Sequence, residues 1–227
     1  MLPVAILAGG LATRMRPLTE TIPKALLNVA NEPFIFHQLR LLRRNEIQDV
    51  VLCVGYLGEQ IKAVVGDGSS FGMNVTYSSD WPELRGTGGA LKKALPLLGE
   101  HFMVLYGDSY LDIPYTEVTE TFIRSGQPAL MTVYRNANQH DTSNVIYRNG
   151  RIEVYDKRHY IPEMDYIDYG LGCLSASLFL AQPNSFDLAD IYSALATQGK
   201  LVGYEVHSRF YEIGSPAGLC ELNLLLA

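Results

Sequence analysis

Continuous apolar runs and segments with helical periodicity alternate along the first half of the chain. The apolar runs predict buried strands at Val4–Ala8, Asp49–Val54, Asn74–Ser78 and Phe102–Tyr106. Helices are predicted from Pro33 through Leu42, over Leu57–Val65 and over Thr87–Leu98. This β-α-β-α-β order indicates a parallel sheet whose strands are connected by helices.

The second half has a less regular pattern. We predict strands over Ala129–Tyr134, Tyr166–Leu174 and Leu201–Val206, a hairpin around Asn149-Gly150, and helices over Leu188–Gln198 and after Ser215-Pro216. The fold class predicted is therefore α/β, with a Rossmann-like, doubly wound, mostly parallel sheet, helices on both faces and a smaller lobe. We expect residues 1–227 to form a single domain.

Composition and charge narrow the class of function. The chain has 227 residues, 48% of them hydrophobic, and a formal net charge of −6. This acidic balance argues against a nucleic-acid partner or an anionic membrane surface, because both need a broad basic surface. No apolar run approaches the roughly 18 residues of a membrane span. The three cysteines are far apart in sequence and favour reduced thiols, and we expect a cytoplasmic protein.

The first predicted strand ends at a glycine pair that is followed by cations, in the segment "LAGGLATRMRPLTETIPKALLNV". Gly9 and Gly10 let backbone N–H groups approach a phosphate. The planar Arg14 guanidinium can donate two hydrogen bonds to phosphate oxygens, and the Lys24 ammonium adds a positive charge. The alternative is a tight turn with a solvated basic loop. Neither G-x-G-x-x-G nor a P-loop motif occurs here, so dinucleotide-binding and P-loop enzymes are disfavoured.

This segment resembles the signature of the sugar-1-phosphate nucleotidylyltransferases, the nucleotide-sugar pyrophosphorylases. The matching positions are Gly9, Gly10, Thr13, Arg14, Pro17, Leu18, Thr19, Pro23, Lys24 and Leu26. One departure is Ala12, where the family usually has glycine. In length the chain resembles the short mannose- or heptose-1-phosphate guanylyltransferases and the N-acetylmuramate-1-phosphate uridylyltransferase.

The resemblance implies a nucleotide site and a metal site in residues 1–112. Besides the first loop, "PELRGTGGALKKAL" is similar to the family's second nucleotide loop. The nucleotide-binding residues implied are Leu7, Ala8, Gly9, Gly10, Thr13, Arg14, Lys24, Gly86, Thr87 and Gly88. "LYGDS" resembles the segment whose aspartate, here Asp108, holds Mg²⁺. "FYEIGSPAGL", from the second half, resembles the segment with the second metal carboxylate, although Glu212 stands where the family usually has aspartate.

Residues 113–227 are expected to form the sugar-binding half and a C-terminal helix. "VYDKR" and "DYGLGCLS" are similar, more loosely, to sugar-lobe segments of the family. Lys157 is the implied ligand of the sugar's phosphate. Asn144 and Asp168 are implied to contact hydroxyls of the sugar, and Gly170 is the remaining implied residue of the sugar-phosphate site.

The implied reaction transfers a nucleotidyl group from a nucleoside triphosphate, GTP being favoured, to a mannose- or heptose-type sugar 1-phosphate. Pyrophosphate leaves. The acceptor phosphate is already an anion, so the chemistry needs charge neutralisation by Mg²⁺, Arg14 and Lys24 rather than a general base. Arg14 and Lys24 are therefore the catalytic candidates. A homodimer is compatible with this reading.

Three alternatives stay open. The nucleotide can be a uridylyl or thymidylyl donor used with another sugar 1-phosphate. The acceptor can be a phosphate that carries no sugar, such as a phosphoalcohol. The third alternative is a regulatory subunit that has kept the nucleotide fold without catalysis, and the glutamate at position 212 keeps that reading open.

Overall fold

The structure of the protein, a computed structural model, describes residues 1–227. Its nine-stranded sheet consists of β1 Val4–Ala8, β4 Asp49–Val54, β5 Asn74–Ser79, β6 His101–Tyr106, β8 Ala129–Arg135, β9 Val145–Arg148, β10 Arg151–Tyr155, β11 Tyr166–Ser175 and β12 Leu201–Val206. Two further two-stranded sheets pair β2 Asn28–Val29 with β3 Glu32–Pro33, and β7 Ser109–Tyr110 with β13 Tyr211–Glu212. The helices are α1 Phe34–Arg44, α2 Gly58–Val65, α3 Gly86–Ala94, α4 Tyr115–Ser125, α5 Leu188–Thr197 and α6 Pro216–Leu226.

The strand order of the large sheet is β5-β4-β1-β6-β11-β8-β12-β10-β9. The first four strands are parallel, with Ile6 of β1 opposite Leu52 of β4 on one side and Leu105 of β6 on the other. Strands β10 and β11 run against the direction of the others. The sheet is thus parallel at the β5–β6 end and mixed beyond it.

Apolar residues on alternate strand positions form a core on each face of the sheet. Val4 and Ile6 of β1 belong to one buried cluster, which also contains side chains of α1, α2 and α4. Ala5, between them, belongs to a second cluster that includes side chains of α3 and α5. Because both faces of the parallel strands are covered, these strands are continuous apolar runs in the sequence. No helix of the fold has the length and apolar character that crossing a membrane requires.

Most of the elements follow the hydrophobic pattern to within a few residues. Helix α3 ends at Ala94, earlier than predicted, and a short 3-10 turn over Leu95–Leu97 replaces its last turn at Pro96. The pattern did not predict α4, a polar segment rich in β-branched residues, which have low helix propensity. Tertiary packing of Tyr115, Val118 and Phe122 stabilises this helix.

The strand order reverses between β1 and β6. From β1 the chain adds β4 and then β5 on one side, and α3 carries it back so that β6 pairs with the other side of β1. The loops that follow β1 and β6 therefore begin side by side at one edge of the sheet. The β7–β13 pair adds a third segment there, with Glu212 opposite Ser109.

Candidate functional site

A cavity of about 1110 Å³ opens at the carboxyl ends of β1 and β6. Residues from both halves of the chain line it, so the two groups of candidates meet in one space. The predicted site residues that line it are Leu7, Ala8, Gly9, Gly10, Arg14, Lys24, Gly86, Thr87, Asp108, Asn144, Lys157, Asp168, Gly170 and Glu212. Thr13 and Gly88 are not among the lining residues.

The loop after β1 contains one residue in a left-handed conformation. Ala12 lies in the left-handed region, with φ 47° and ψ 42°, where glycine is favoured over residues with a side chain. The buried Thr19 hydroxyl donates a hydrogen bond to the Ala12 carbonyl at 2.8 Å, and Met15 is also buried. These contacts fix the turn from which Arg14 projects into the cavity.

The loop before α3 is attached to the second half of the chain. The Thr87 hydroxyl donates to Asp187 at 2.8 Å, and the Gly88 N–H donates to the Phe186 carbonyl at 3.1 Å. A β-carbon on Gly88 would overlap the Phe186 ring. Gly88, expected to contact the nucleotide, thus packs against Phe186 and its N–H has a partner there, so its contact with a nucleotide stays a prediction. Gly86 and Thr87 keep their place on the cavity wall.

Two carboxylates and one guanidinium converge beside Gly214. A β-carbon built on Gly214 would lie 2.6 Å from Glu212 Oε2, 3.1 Å from Asp108 Oδ2 and 3.3 Å from Arg14 Nη2. A side chain at this position would collide with these groups, so the glycine allows them to come close together. Asp108 and Glu212 thus lie near each other on the cavity wall, and their joint role as metal ligands stays a prediction.

The two carboxylates have different partners. The Asp108 carboxylate forms an ion pair with Lys24, with 2.7 Å between Oδ2 and Nζ, and both side chains are partly exposed. Glu212 accepts hydrogen bonds from the Gly214 N–H and, at 2.6 Å, from the Ser215 hydroxyl. Ser215 is the N-cap of α6, so Glu212 also lies at the positive end of that helix.

The donor set fits a hard divalent cation. Mg²⁺ in proteins is commonly bound by one or two carboxylates together with substrate phosphates and waters. No group of three or more His, Cys, Asp or Glu side chains is arranged to hold a metal ion by itself. Asp108 and Glu212, whose carboxylates approach each other beside Gly214 on the cavity wall, are the residues that would hold the ion.

The acceptor-side candidates form one connected group. Lys157 Nζ lies 3.7 Å from Asp168 Oδ2, and the Asp168 side chain is only 6% exposed. The Asn144 side-chain oxygen accepts from the Asp168 N–H at 3.0 Å. The Gly170 N–H donates to Asp168 Oδ1, also at 3.0 Å, from a backbone with φ +98° that favours glycine. Asn144 and Gly170 thus hold Asp168, and Lys157 is the more exposed of the two charged side chains.

Sequence reasoning missed several residues of the cavity. Asp80 is buried and accepts from the Arg85 N–H at 3.0 Å, which shapes the second loop. Tyr106 lies directly before Gly107-Asp108 and was treated only as the end of a strand. His140 lines the acceptor side, where burial and the nearby Arg209 charge lower its pKa. Nothing in the spacing of the residues around Asp80, Tyr106 and His140 distinguishes these three from residues of ordinary turns.

The profile of the family described as "Nucleotidyl transferase" matches residues 4–153 of this chain. Taken with the resemblance of the glycine loop and the cavity at the sheet edge, this shows that the chain belongs to the nucleotidyl transferase family. The match extends from β1 into β10 and so includes both loops and Asp108.

Two curated relatives illustrate the range of the family. The chain is 44% identical over 120 residues to an N-acetylmuramate alpha-1-phosphate uridylyltransferase of Neisseria meningitidis, which covers 51% of each protein. It is 28% identical over 228 residues to a mannose-1-phosphate guanylyltransferase catalytic subunit beta of Xenopus tropicalis, which covers 95% of this chain and 63% of the relative. The matched region thus spans between half and two thirds of the length of these relatives.

Solved structures show the same fold. HddC from Yersinia pseudotuberculosis, solved as a complex with GMP-PN, superimposes with a TM-score of 0.86 at 22% identity and full coverage of both chains. A UDP-glucose pyrophosphorylase solved with UDP-glucose gives a TM-score of 0.82 at 17% identity, covering 100% of this chain and 98% of the other. The central sheet with its flanking helices is therefore a nucleotidyltransferase fold.

Proposed function

We propose that the protein is a sugar-1-phosphate nucleotidylyltransferase, which transfers a nucleotidyl group from a nucleoside triphosphate to a sugar 1-phosphate and releases pyrophosphate. One observation carries the proposal. The Asp108 and Glu212 carboxylates and the Arg14 guanidinium come together beside Gly214, and all three line a cavity to which both halves of the chain contribute.

The position of the cavity supports this assignment. We infer that the sheet is of the doubly wound, Rossmann-like kind, because β5-β4-β1-β6 are parallel and have helices on both faces. In such sheets ligands bind outside the carboxyl ends of the strands where the strand order reverses. That point lies between β1 and β6, where the Gly9-Gly10 loop and Asp108 meet.

The charges suit a transfer between two phosphates. The acceptor's phosphate is an anionic nucleophile, so the protein must bring polyanions together and neutralise the charge that develops at the α-phosphate. Arg14 would hold the departing pyrophosphate, Lys24 would contact the α-phosphate, and Lys157 would hold the acceptor's phosphate. When bound between Asp108 and Glu212, Mg²⁺ would supply further neutralisation of the phosphate oxygens.

For the nucleotide and the sugar we propose a guanylyl donor and a mannose- or heptose-type 1-phosphate. The guanylyltransferase relatives align with 93–95% of this chain, which includes the acceptor half. A uridylyl donor with an N-acetylmuramate-type acceptor is the second candidate, because that relative has the higher identity, although it covers 51% of the chain.

The test is a matrix of GTP, UTP, dTTP, CTP and ATP against sugar 1-phosphates, scored by release of pyrophosphate and by mass of the product. The panel includes mannose, heptose, glucose and N-acetylmuramate 1-phosphates, together with phosphocholine as an acceptor without a sugar. We expect one nucleotide and one sugar class to dominate, GTP with mannose or heptose. Dominant turnover of UTP would favour the second candidate. Release only with phosphocholine, or no release with any pair while the protein is folded, would refute the proposed function.

A further inference from the structure

Two tyrosine hydroxyls, one from Tyr106 on the cavity wall and one from the buried Tyr155 behind it, contact Asp168 on the acceptor side. The Tyr106 hydroxyl donates to Asp168 Oδ2 at 3.0 Å, and the Tyr155 hydroxyl donates to the same oxygen at 3.1 Å. The other carboxylate oxygen accepts from the Gly170 N–H. Both oxygens of Asp168 therefore have protein partners, and its side chain is nearly closed to solvent.

Lys157 contacts the same three side chains, those of Tyr106, Tyr155 and Asp168. Its Nζ donates to the Tyr106 hydroxyl at 3.3 Å, so that hydroxyl accepts from the lysine and donates to the carboxylate. The ammonium also lies 4.8 Å from the centre of the Tyr106 ring and 5.7 Å from that of Tyr155, within cation–π range. Lys157 thus contacts two aromatic faces, a hydroxyl and a carboxylate at once.

Burial and the negative charge of Asp168 raise the pKa of both tyrosines, so their hydroxyls stay protonated and remain donors. A buried carboxylate that lacks such donors and a nearby cation is costly. The four side chains therefore form a satisfied network with few alternative arrangements. The long lysine side chain, which loses much rotamer entropy when it is fixed, has one favoured position there.

We propose that Tyr106 and Tyr155 are positioning residues, which act through Asp168 to hold the Lys157 ammonium where the acceptor's phosphate binds. Asp168 then anchors the lysine and does not contact sugar hydroxyls. This inference rests on the proposed function, since the acceptor phosphate is its ligand. It extends that function to residues that touch neither the nucleotide nor the reacting phosphorus.

The test combines kinetics with a measurement that needs no substrate. We expect Tyr106→Phe and Tyr155→Phe each to raise the KM for the sugar 1-phosphate about tenfold, the usual order for a hydrogen bond to a charged group, while the KM for the nucleotide stays within about twofold. In a Lys157→Ala background the same substitutions should add little, because the lysine they position is absent. Tyr115→Phe is the matched control: its buried hydroxyl has no partner and lies outside the cavity.

The second measurement follows the Lys157 methyl signal by NMR after reductive ¹³C-dimethylation of the lysines, with the signal assigned through Lys157→Ala. Ring currents of Tyr106 should displace this signal in the wild-type protein, and Asp168→Asn should move it towards the position of an exposed lysine. An unchanged signal in Asp168→Asn, or full additivity of the tyrosine and lysine substitutions, would overturn the inference. A wild-type protein inactive with every substrate pair would refute the proposed function, and the NMR comparison would still decide whether the network holds Lys157.

Discussion

The cavity contains two lysine–aspartate pairs, one on each side, and they are built differently. On the nucleotide side Lys24 and Asp108 lie 2.7 Å apart, with 22% and 25% of their side chains exposed. On the acceptor side Lys157 and Asp168 lie 3.7 Å apart, with 40% and 6% exposed. Lys24 is the only side chain bonded to the Asp108 carboxylate, whereas Asp168 also holds two tyrosine hydroxyls and a backbone N–H.

The two aspartates differ in how easily their carboxylates can exchange partners, and this difference indicates two separate roles. A carboxylate with a single, partly exposed partner can exchange that partner for a cation or a phosphate-bound metal at small cost. A carboxylate with buried, saturated partners cannot change them without leaving polar groups unsatisfied. We therefore assign Asp108 to the chemistry and Asp168 to the placement of Lys157. Five substitutions at four positions on the nucleotide side test this contrast.

The largest effect should come from Asp108→Asn. We expect a loss of about a thousandfold in kcat/KM, at the upper end of what one preorganised charge contact contributes, because the variant removes the exchangeable carboxylate. Thermal unfolding should change little, since Lys24 is its only side-chain partner. Asp112→Asn, an exposed aspartate outside the cavity, is the control for pyrophosphate-release assays. Turnover in Asp108→Asn comparable to that control would remove Asp108 from the reaction.

Lys24→Ala should lower kcat/KM by about a hundredfold, because it removes one cation directed at the transferred phosphate. The fold should stay intact as judged by circular dichroism. The comparison is with Lys62→Ala, an exposed lysine on α2 that does not line the cavity. Near-normal turnover of Lys24→Ala with any nucleotide that the wild type uses would show that Lys24 only neutralises Asp108.

Glu212 shares features with both Asp108 and Asp168. It lies near Asp108 beside Gly214, yet it accepts hydrogen bonds from Gly214 and Ser215. We expect Glu212→Gln to lose about tenfold to a hundredfold in kcat/KM and about 1 kcal/mol of stability, since an amide NH₂ would oppose one of those donors.

Glu212→Asp should keep part of the activity, and Mn²⁺ should restore more of it than Mg²⁺, which demands stricter octahedral geometry. Kinetics with both ions and a thermal melt check these expectations together. A stability loss with unchanged turnover would make Glu212 a structural residue of the turn before α6.

The smallest effect should come from Ala12→Gly. Ala12 has φ 47°, a conformation that costs a non-glycine residue about 1 kcal/mol. Glycine relieves that cost, and its greater freedom in the unfolded chain offsets most of the gain, so we expect the melting temperature to change by only a few degrees. Activity should stay within about twofold. A tenfold change in activity would mean that the loop contributes through rigidity and not only through Arg14.

More residues of the proposed nucleotide side than of the proposed acceptor side could be predicted from the sequence. The loop after β1 is contiguous, so glycines, Arg14 and Lys24 appear as one pattern, and the apolar strands around it are continuous runs. The contact of Gly88 with Phe186 could not be predicted, because the two residues are distant in sequence. The acceptor network joins Tyr106 of β6, Tyr155 of β10 and Asp168 of β11, and only the folded sheet brings these together.

The central claim is that Asp108 takes part in the reaction and Asp168 places the acceptor's lysine. The measurement that tests it most directly is steady-state kinetics of Asp108→Asn and Asp168→Asn side by side, with kcat and the KM for the sugar 1-phosphate determined at saturating nucleotide. We predict that Asp108→Asn lowers kcat and leaves the acceptor KM within a few-fold, whereas Asp168→Asn raises the acceptor KM by about tenfold and largely preserves kcat. The same kinetic pattern in both variants, or the reverse assignment, would contradict it.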